Sequence, residues 1–99
     1  MKIDPNQKYI VRSPKAGVFY GYITEKEGSE VTMKDVRCLW SWRGANSLND
    51  LAAYGVKYPE ECRFTNAYKT ITILDVCEIL PCSDEAVKVI DGVKEWIAQ

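Results

Sequence analysis

The sequence predicts an α+β fold: a curved, mainly antiparallel sheet of about four strands, ordered β-β-β-α-β-α, with two helices. Three observations predict it. Runs of β-branched and aromatic residues alternate and are joined by short turns. Two serines each open a stretch with a helical apolar stripe. Adjacent strands joined by tight turns make an antiparallel sheet, with helices on one face or end.

Residues 8–12, Lys-Tyr-Ile-Val-Arg, read as the first strand, and Ser13 to Gly17 as a turn. Residues 17–25 alternate, with Val18, Tyr20 and Tyr22 on one face and Phe19 and Ile23 on the other. Gly21 in their midst marks a bend or a close backbone approach. Lys26-Glu27-Gly28-Ser29 is a hairpin turn into a strand over 30–40. There the alternation slips. Val31 and Met33 share one phase, Val36, Cys38 and Trp40 the other, and a bulge near Lys34-Asp35 reconciles them.

Ser47-Leu48-Asn49-Asp50 resembles a capping box, with Asp where Glu is usual. Leu48, Leu51, Ala52 and Val56 give the short helix its apolar stripe, and Gly55 its C-cap. Tyr58 to Cys62 form a turn or a single 3₁₀ turn. Residues 70–80 read as one strand with a phase slip near Leu74-Asp75, ended by Pro81. Ser83 caps a last helix running to about Trp96, with Val87, Ile90, Val93 or Lys94, and Ile97 on its inner stripe. Gly92 lies inside that helix, at a cost of about 1 kcal/mol against Ala.

The 99 residues are expected to form one domain. Val, Ile, Leu and Phe total 24, too many for a disordered chain. No apolar run approaches the roughly 20 residues of a membrane span. The opening Met1 to Asn6 lacks the apolar core of a signal peptide, so a cytoplasmic location is expected. Thirteen bases against fourteen acids make duplex DNA a poor partner. Histidine is absent, which removes the usual general base and imidazole metal ligand. Cys38, Cys62, Cys77 and Cys82 contain no close pair, so neither a metal site nor a cofactor is expected. No nucleophile–base pair or phosphate-binding glycine loop is present, and the chain is read as a binder rather than an enzyme.

The densest unusual stretch is Arg37 to Ser47, with two of three tryptophans and two of four arginines. Alternation sets Trp40 and Trp42 on one side and Arg37 and Arg43 on the other. The stretch feeds the helix start at Asn46 and Ser47, where free amides favour anions. Rings, guanidinium forks and amides together suit a nucleotide. Tyr20 and Tyr22 on the neighbouring strand complete the candidate set. The plainer reading is that tryptophans in so small a domain are core, that the arginines are surface charges and that Ser47 is an N-cap. Residues 1–43 carry eight bases and five acids, and residues 44–99 five bases and nine acids, so an anion would prefer the first half.

Further strings resemble one family. They are Ala16-Gly17-Val18-Phe19-x-Gly21, Gly28-x-Glu30-Val31-Thr32, Arg37-x-Leu39-Trp40-x-Trp42-x-Gly44-Ala45-x-Ser47-Leu48, Leu51-Ala52-x-x-Gly55-Val56, Pro59-Glu60-x-Cys62 and Glu78-Ile79-Leu80-Pro81-Cys82. Over roughly residues 9–97 the chain is similar to small tailed-phage proteins described only as a domain of unknown function. The resemblance implies a phage origin and the host cytoplasm. It is also similar in kind to the anti-CBASS nucleotide sponges, which bind cyclic di- or trinucleotides without cleaving them. That likeness implies a homo-oligomer with ligand at or near the subunit interface, and Trp42, Arg43 and Ser47 near its rim. The chain departs from that pattern in lacking a strongly basic cluster. The competing reading is an interaction module that inhibits a host enzyme, since Trp, Tyr and Arg also mark interface hot spots.

Overall fold

A computed structural model describes residues 1–97. The strands are β1 (Lys8–Ser13), β2 (Gly17–Glu27), β3 (Glu30–Ser41), β4 (Arg63–Phe64), β5 (Tyr68–Ile73) and β6 (Glu78–Pro81). The helices are α1 (Leu48–Tyr54) and α2 (Asp84–Asp91), with a 3₁₀ turn at Pro59–Glu61. The α+β class and the antiparallel sheet are as expected. The strand number is six, not about four.

The strands run β4-β3-β2-β1-β6, and β5 pairs with β3 beside β4. The expected strand over 70–80 is two strands on opposite edges. Asp75 takes a left-handed conformation, φ 55°, and the chain leaves β3 there. β6 then pairs with β1, Glu78 opposite Arg12. Flat, β5 and β6 would lie four strand spacings apart, about 19 Å, whereas the five steps from Ile73 to Glu78 reach about 17 Å. The sheet therefore curls until its edges approach. Bonds across the link hold the curl: the Ser13 hydroxyl donates to the Leu74 carbonyl (2.8 Å), and the Val76 and Cys77 amides donate to the Ser29 and Arg12 carbonyls (both 2.9 Å).

The curl begins at the bulge read from the alternation. Tyr20 pairs with Arg37 but Tyr22 with Lys34, so Gly21 alone faces Asp35 and Val36. Asp35 is left-handed, φ 52°. The bulge restores Val31, Met33 and Val36 to one core, with Tyr9, Val11, Phe19, Ile23 and Ile73. The other face carries a second core, in which Ile10, Tyr20, Leu39 and Phe64 meet Leu51 and Ala52 of α1 and Ala86 and Ile90 of α2.

Both helix starts form as read. Ser47 Oγ accepts from the Asp50 amide (3.2 Å) and Ser83 Oγ from the Ala86 amide (3.0 Å). Gly55 caps α1 with φ 79°, its amide bonded to the Leu51 carbonyl. The end of α2 differs from expectation. Gly92 is its C-cap, not an interior residue. The chain then turns to lie parallel to β4, with Glu95 bridged to Phe64. Val93 is buried, whereas Ile97, placed on the inner stripe by helical spacing, is 70% exposed.

Candidate functional site

The eight residues singled out from the sequence fall in three places. Tyr20 and Arg37 lie in the interior beneath α2. The Tyr20 hydroxyl donates to Asp91 Oδ1 (2.8 Å). Burial, then this bond to a carboxylate, keep the phenol protonated well above its ordinary range. Arg37 Nε donates to the Thr65 carbonyl (2.7 Å) and Nη1 to the Ile90 carbonyl (2.8 Å). Its guanidinium lies 5.5 Å from the Phe64 ring centre. Burial pulls the Arg37 pKa down, while Asp91, Tyr20 and Glu95 oppose that shift. Both residues are buried, and the Tyr20 hydroxyl and the Nε and Nη1 donors of Arg37, expected to face a ligand, are bonded within the chain. Tyr22 is half-buried on the rim, with the Lys8 and Lys34 ammonium groups 5.2 and 5.6 Å from its ring.

Trp42, Arg43, Asn46 and Ser47 form the second place, the loop into α1. Trp42 is half-buried and packs on the helix-side core, as do Ala45 and Leu48. Arg43 is exposed, pairs with Glu61 (2.6 Å) and lies over Tyr58 (5.6 Å). Asn46 and Ser47 are exposed. The start of the seven-residue α1 is partly satisfied within the chain. Ser47 takes the Asp50 amide, and Asp50 already sets a carboxylate in the first turn. A shallow groove of about 320 Å³ beside it is lined by Gly44, Ala45, Asn46, Asp50, Tyr54 and Lys57.

Trp40 is the third place. It is 60% exposed, with its ring centre 5.2 Å from that of Trp96, which is 40% exposed. The Arg63 guanidinium lies 5.3 Å from Trp40 and 4.9 Å from Trp96. Backbone pairing builds this cluster. Ser41 pairs with Arg63, which brings β4 alongside the Trp40 end of β3. The Trp96 amide donates to the Phe64 carbonyl (2.9 Å) and anchors the returning chain. A groove of about 400 Å³ adjoins it, lined by Pro59, Glu60, Cys62, Lys94, Glu95 and Trp96. Arg63 and Trp96 were not among the residues singled out from the sequence. They lie 33 positions apart, and no local spacing joins them.

Among the described residues, no three acidic, cysteine or histidine side chains converge on a point that could hold a metal. All four thiols are free. Burial pushes the Cys82 thiol up to about 12, and pushes Cys38 and Cys62 up as well. A thiol whose folded pKa lies above its unfolded value stabilises the fold fully below the unfolded value. It loses that contribution as pH rises through the folded one. Stability is therefore expected to fall between about pH 9 and 12, by up to about 1.4 kcal/mol per pH unit from Cys82. Urea unfolding at stepped pH reads the slope, and Cys82→Ala should reduce it, leaving the part that Cys38, Cys62 and, above about pH 10, Tyr20 contribute in the same sense. An unchanged slope in that variant would place the effect elsewhere. In the native state Cys77, the exposed thiol, should alkylate first.

Together these features define a small α+β domain that carries an exposed tryptophan–arginine cluster at the end of a curved sheet. The chain belongs to the family described as Domain of unknown function (DUF6948), whose profile matches residues 6–90. No curated protein and no solved structure matches it. The matched stretch includes Trp40 and Arg63, and Trp96 lies beyond it.

Proposed function

We propose that this chain is a phage-encoded protein that acts in the host cytoplasm. It binds a cyclic di- or trinucleotide second messenger and sequesters it without cleavage. The observation that carries the reading is the Trp40–Arg63–Trp96 cluster: two exposed indoles with a guanidinium over both. Indole faces stack on bases, and a guanidinium supplies a fork for phosphate oxygens. The likeness of the Leu39–Leu48 string to phage proteins supports the origin. A domain this small has little room for an enclosed pocket, which supports a homo-oligomer with ligand near the subunit interface.

The test is thermal unfolding against a panel of cyclic mono-, di- and trinucleotides. A ligand at about 100 times its Kd adds about 2.7 kcal/mol, which raises the Tm of a domain this size by roughly 10 °C or more. The ligand should be recovered intact after denaturation. Trp40→Ala and Arg63→Ala should each weaken binding about tenfold or more, since stacking on an aromatic contributes about 1–3 kcal/mol per base. Neither should much change the Tm of the free protein, because Trp40 is largely exposed and Arg63 is exposed. A panel in which no cyclic nucleotide raises the Tm would sink this reading.

One observation favours a second reading, a module that inhibits a host protein. Glu60 and Glu95 line the groove beside Trp96, and such carboxylates repel phosphate while suiting a basic protein partner. On that reading Trp40→Ala removes a host protein from pull-downs, and no nucleotide shifts the Tm.

A further inference from the structure

We propose that two copies of this chain pair antiparallel along the outer edge of β5, with Ile71 opposite Ile71 of the partner subunit. This concerns self-association alone and stands whether or not a nucleotide binds.

β5 is the long open edge of the sheet. It pairs only with β3, in unbroken register from Val31↔Ile73 to Val36↔Tyr68. Among the described residues, no other backbone bond involves Tyr68–Ile73. An edge of this kind is usually blunted by proline, a bulge or charge. β5 has no proline, no glycine and one charge, Lys69. The opposite edge is protected. The Cys82 amide donates to the Lys8 carbonyl, in the same register as the β1–β6 ladder. Hydrogen-bonded pairs alternate along an antiparallel ladder, so Leu80 and Glu78 bond toward β1. Ile79 and Pro81 therefore face outward, and Pro81 has no N–H to offer. β4, beside β5, is only two residues long.

The side chains of β5 complement a second copy. Tyr68, Thr70 and Thr72 share the face away from Ile71 and Ile73, by alternation, and Leu74 follows at the bend that ends the strand. Tyr68 and Leu74, at the two ends, are 62% and 58% exposed. About a two-fold axis through Ile71, Tyr68 meets Leu74 of the partner subunit, and Thr70 meets Thr72 of the partner subunit. Lys69 meets Ile73 of the partner subunit, so no like charges oppose. Aromatic–aliphatic and Thr–Thr pairs are favourable cross-strand neighbours. The register centred two residues earlier would set Lys69 against its own copy. Across the sheet Lys8, Tyr22, Lys34 and Thr70 lie in one cross-strand row. The proposed pairing sets the rows of both copies on one continuous face.

Sedimentation velocity over a wide concentration range tests this, with circular dichroism and Tm to show that each variant folds. The wild-type chain should be a reversible dimer. Thr70→Lys/Thr72→Lys places like charges opposite each other twice and should raise the dimer Kd about tenfold or more. Thr70→Glu/Thr72→Lys places opposite charges there and should stay dimeric. Both positions of exchange, Thr70 and Thr72, are exposed, so the monomer fold should survive. A wild-type chain that is monomeric throughout overturns the proposal. So does a folded Lys/Lys variant that dimerises like wild type, or a folded Glu/Lys variant that dissociates like the Lys/Lys one.

Discussion

Arg37→Leu is expected to lower the unfolding free energy by about 3–5 kcal/mol, read as the midpoint shift in urea at constant slope. The guanidinium joins the Thr65 carbonyl, after β4, to the Ile90 carbonyl, in the last turn of α2. Leucine leaves both carbonyls without this donor. Each of these two bonds from a charged donor contributes about 1.5–3 kcal/mol, and the contact with Phe64 is lost as well, although the Ile90 carbonyl keeps the Val93 amide (3.1 Å). Arg37→Lys keeps the charge but is a point donor that cannot span both oxygens, so it should recover less than half of the loss. Hydrogen exchange should show the last turn of α2 opening first. A cost below about 1 kcal/mol for Arg37→Leu would mean that it is not the tie between α2 and the sheet.

The second large effect is expected from Gly21→Ala. A Cβ at Gly21 would lie 2.8 Å from the Lys34 carbonyl oxygen, 2.9 Å from that of Asp35 and 3.2 Å from the Val36 Cα. All three are backbone atoms of the opposing bulge, so no rotamer change relieves the contact. The bulge must open, and overpacking of this kind costs about 2–3 kcal/mol. The gain from restricting the unfolded chain, about 0.4–1 kcal/mol, does not offset it. Gly92→Ala is the control. Its nearest contacts are 3.4 Å away and its φ is −80°, so that variant should be neutral or slightly stabilising. Equal urea midpoints for the two variants would mean that the bend tolerates a side chain and does not set the curl.

Much of the local structure was legible because it depends on neighbours a few residues away. Alternation placed Tyr20 and Tyr22 together on one face and Phe19 and Ile23 on the other. Ser47, Ser83 and Gly55 announced their caps, and Gly21 its close approach. The limit shows where the same signal met two outcomes. Lys34-Asp35 and Leu74-Asp75 both break the alternation, and both aspartates are left-handed. At the first, β3 rejoins the same neighbour past a bulge. At the second, the chain leaves β3 for the opposite edge. A failed alternation records that the backbone turns, not which strand it meets next. Gly92 shows the same limit, since helical spacing continued past it while Phe64 drew the chain into a bridge.

The candidate site was partly legible for the same reason. Aromatic and arginine enrichment marked Arg37 to Arg43, and alternation separated Trp40 from Arg37. That Arg37 is interior depends on a carbonyl 53 positions away, at Ile90. That Trp40 forms a cluster depends on Arg63 and Trp96, which strand pairing delivers. By itself the sequence determined the α+β class, the strand faces, the helix starts and the first bulge, all set by sterics and hydrogen bonds within a few residues. Only the tertiary structure decided the sheet order, the curl and which aromatic and cationic side chains meet in the open. Those outcomes follow from distant pairings, whose free energies no short stretch of chain carries.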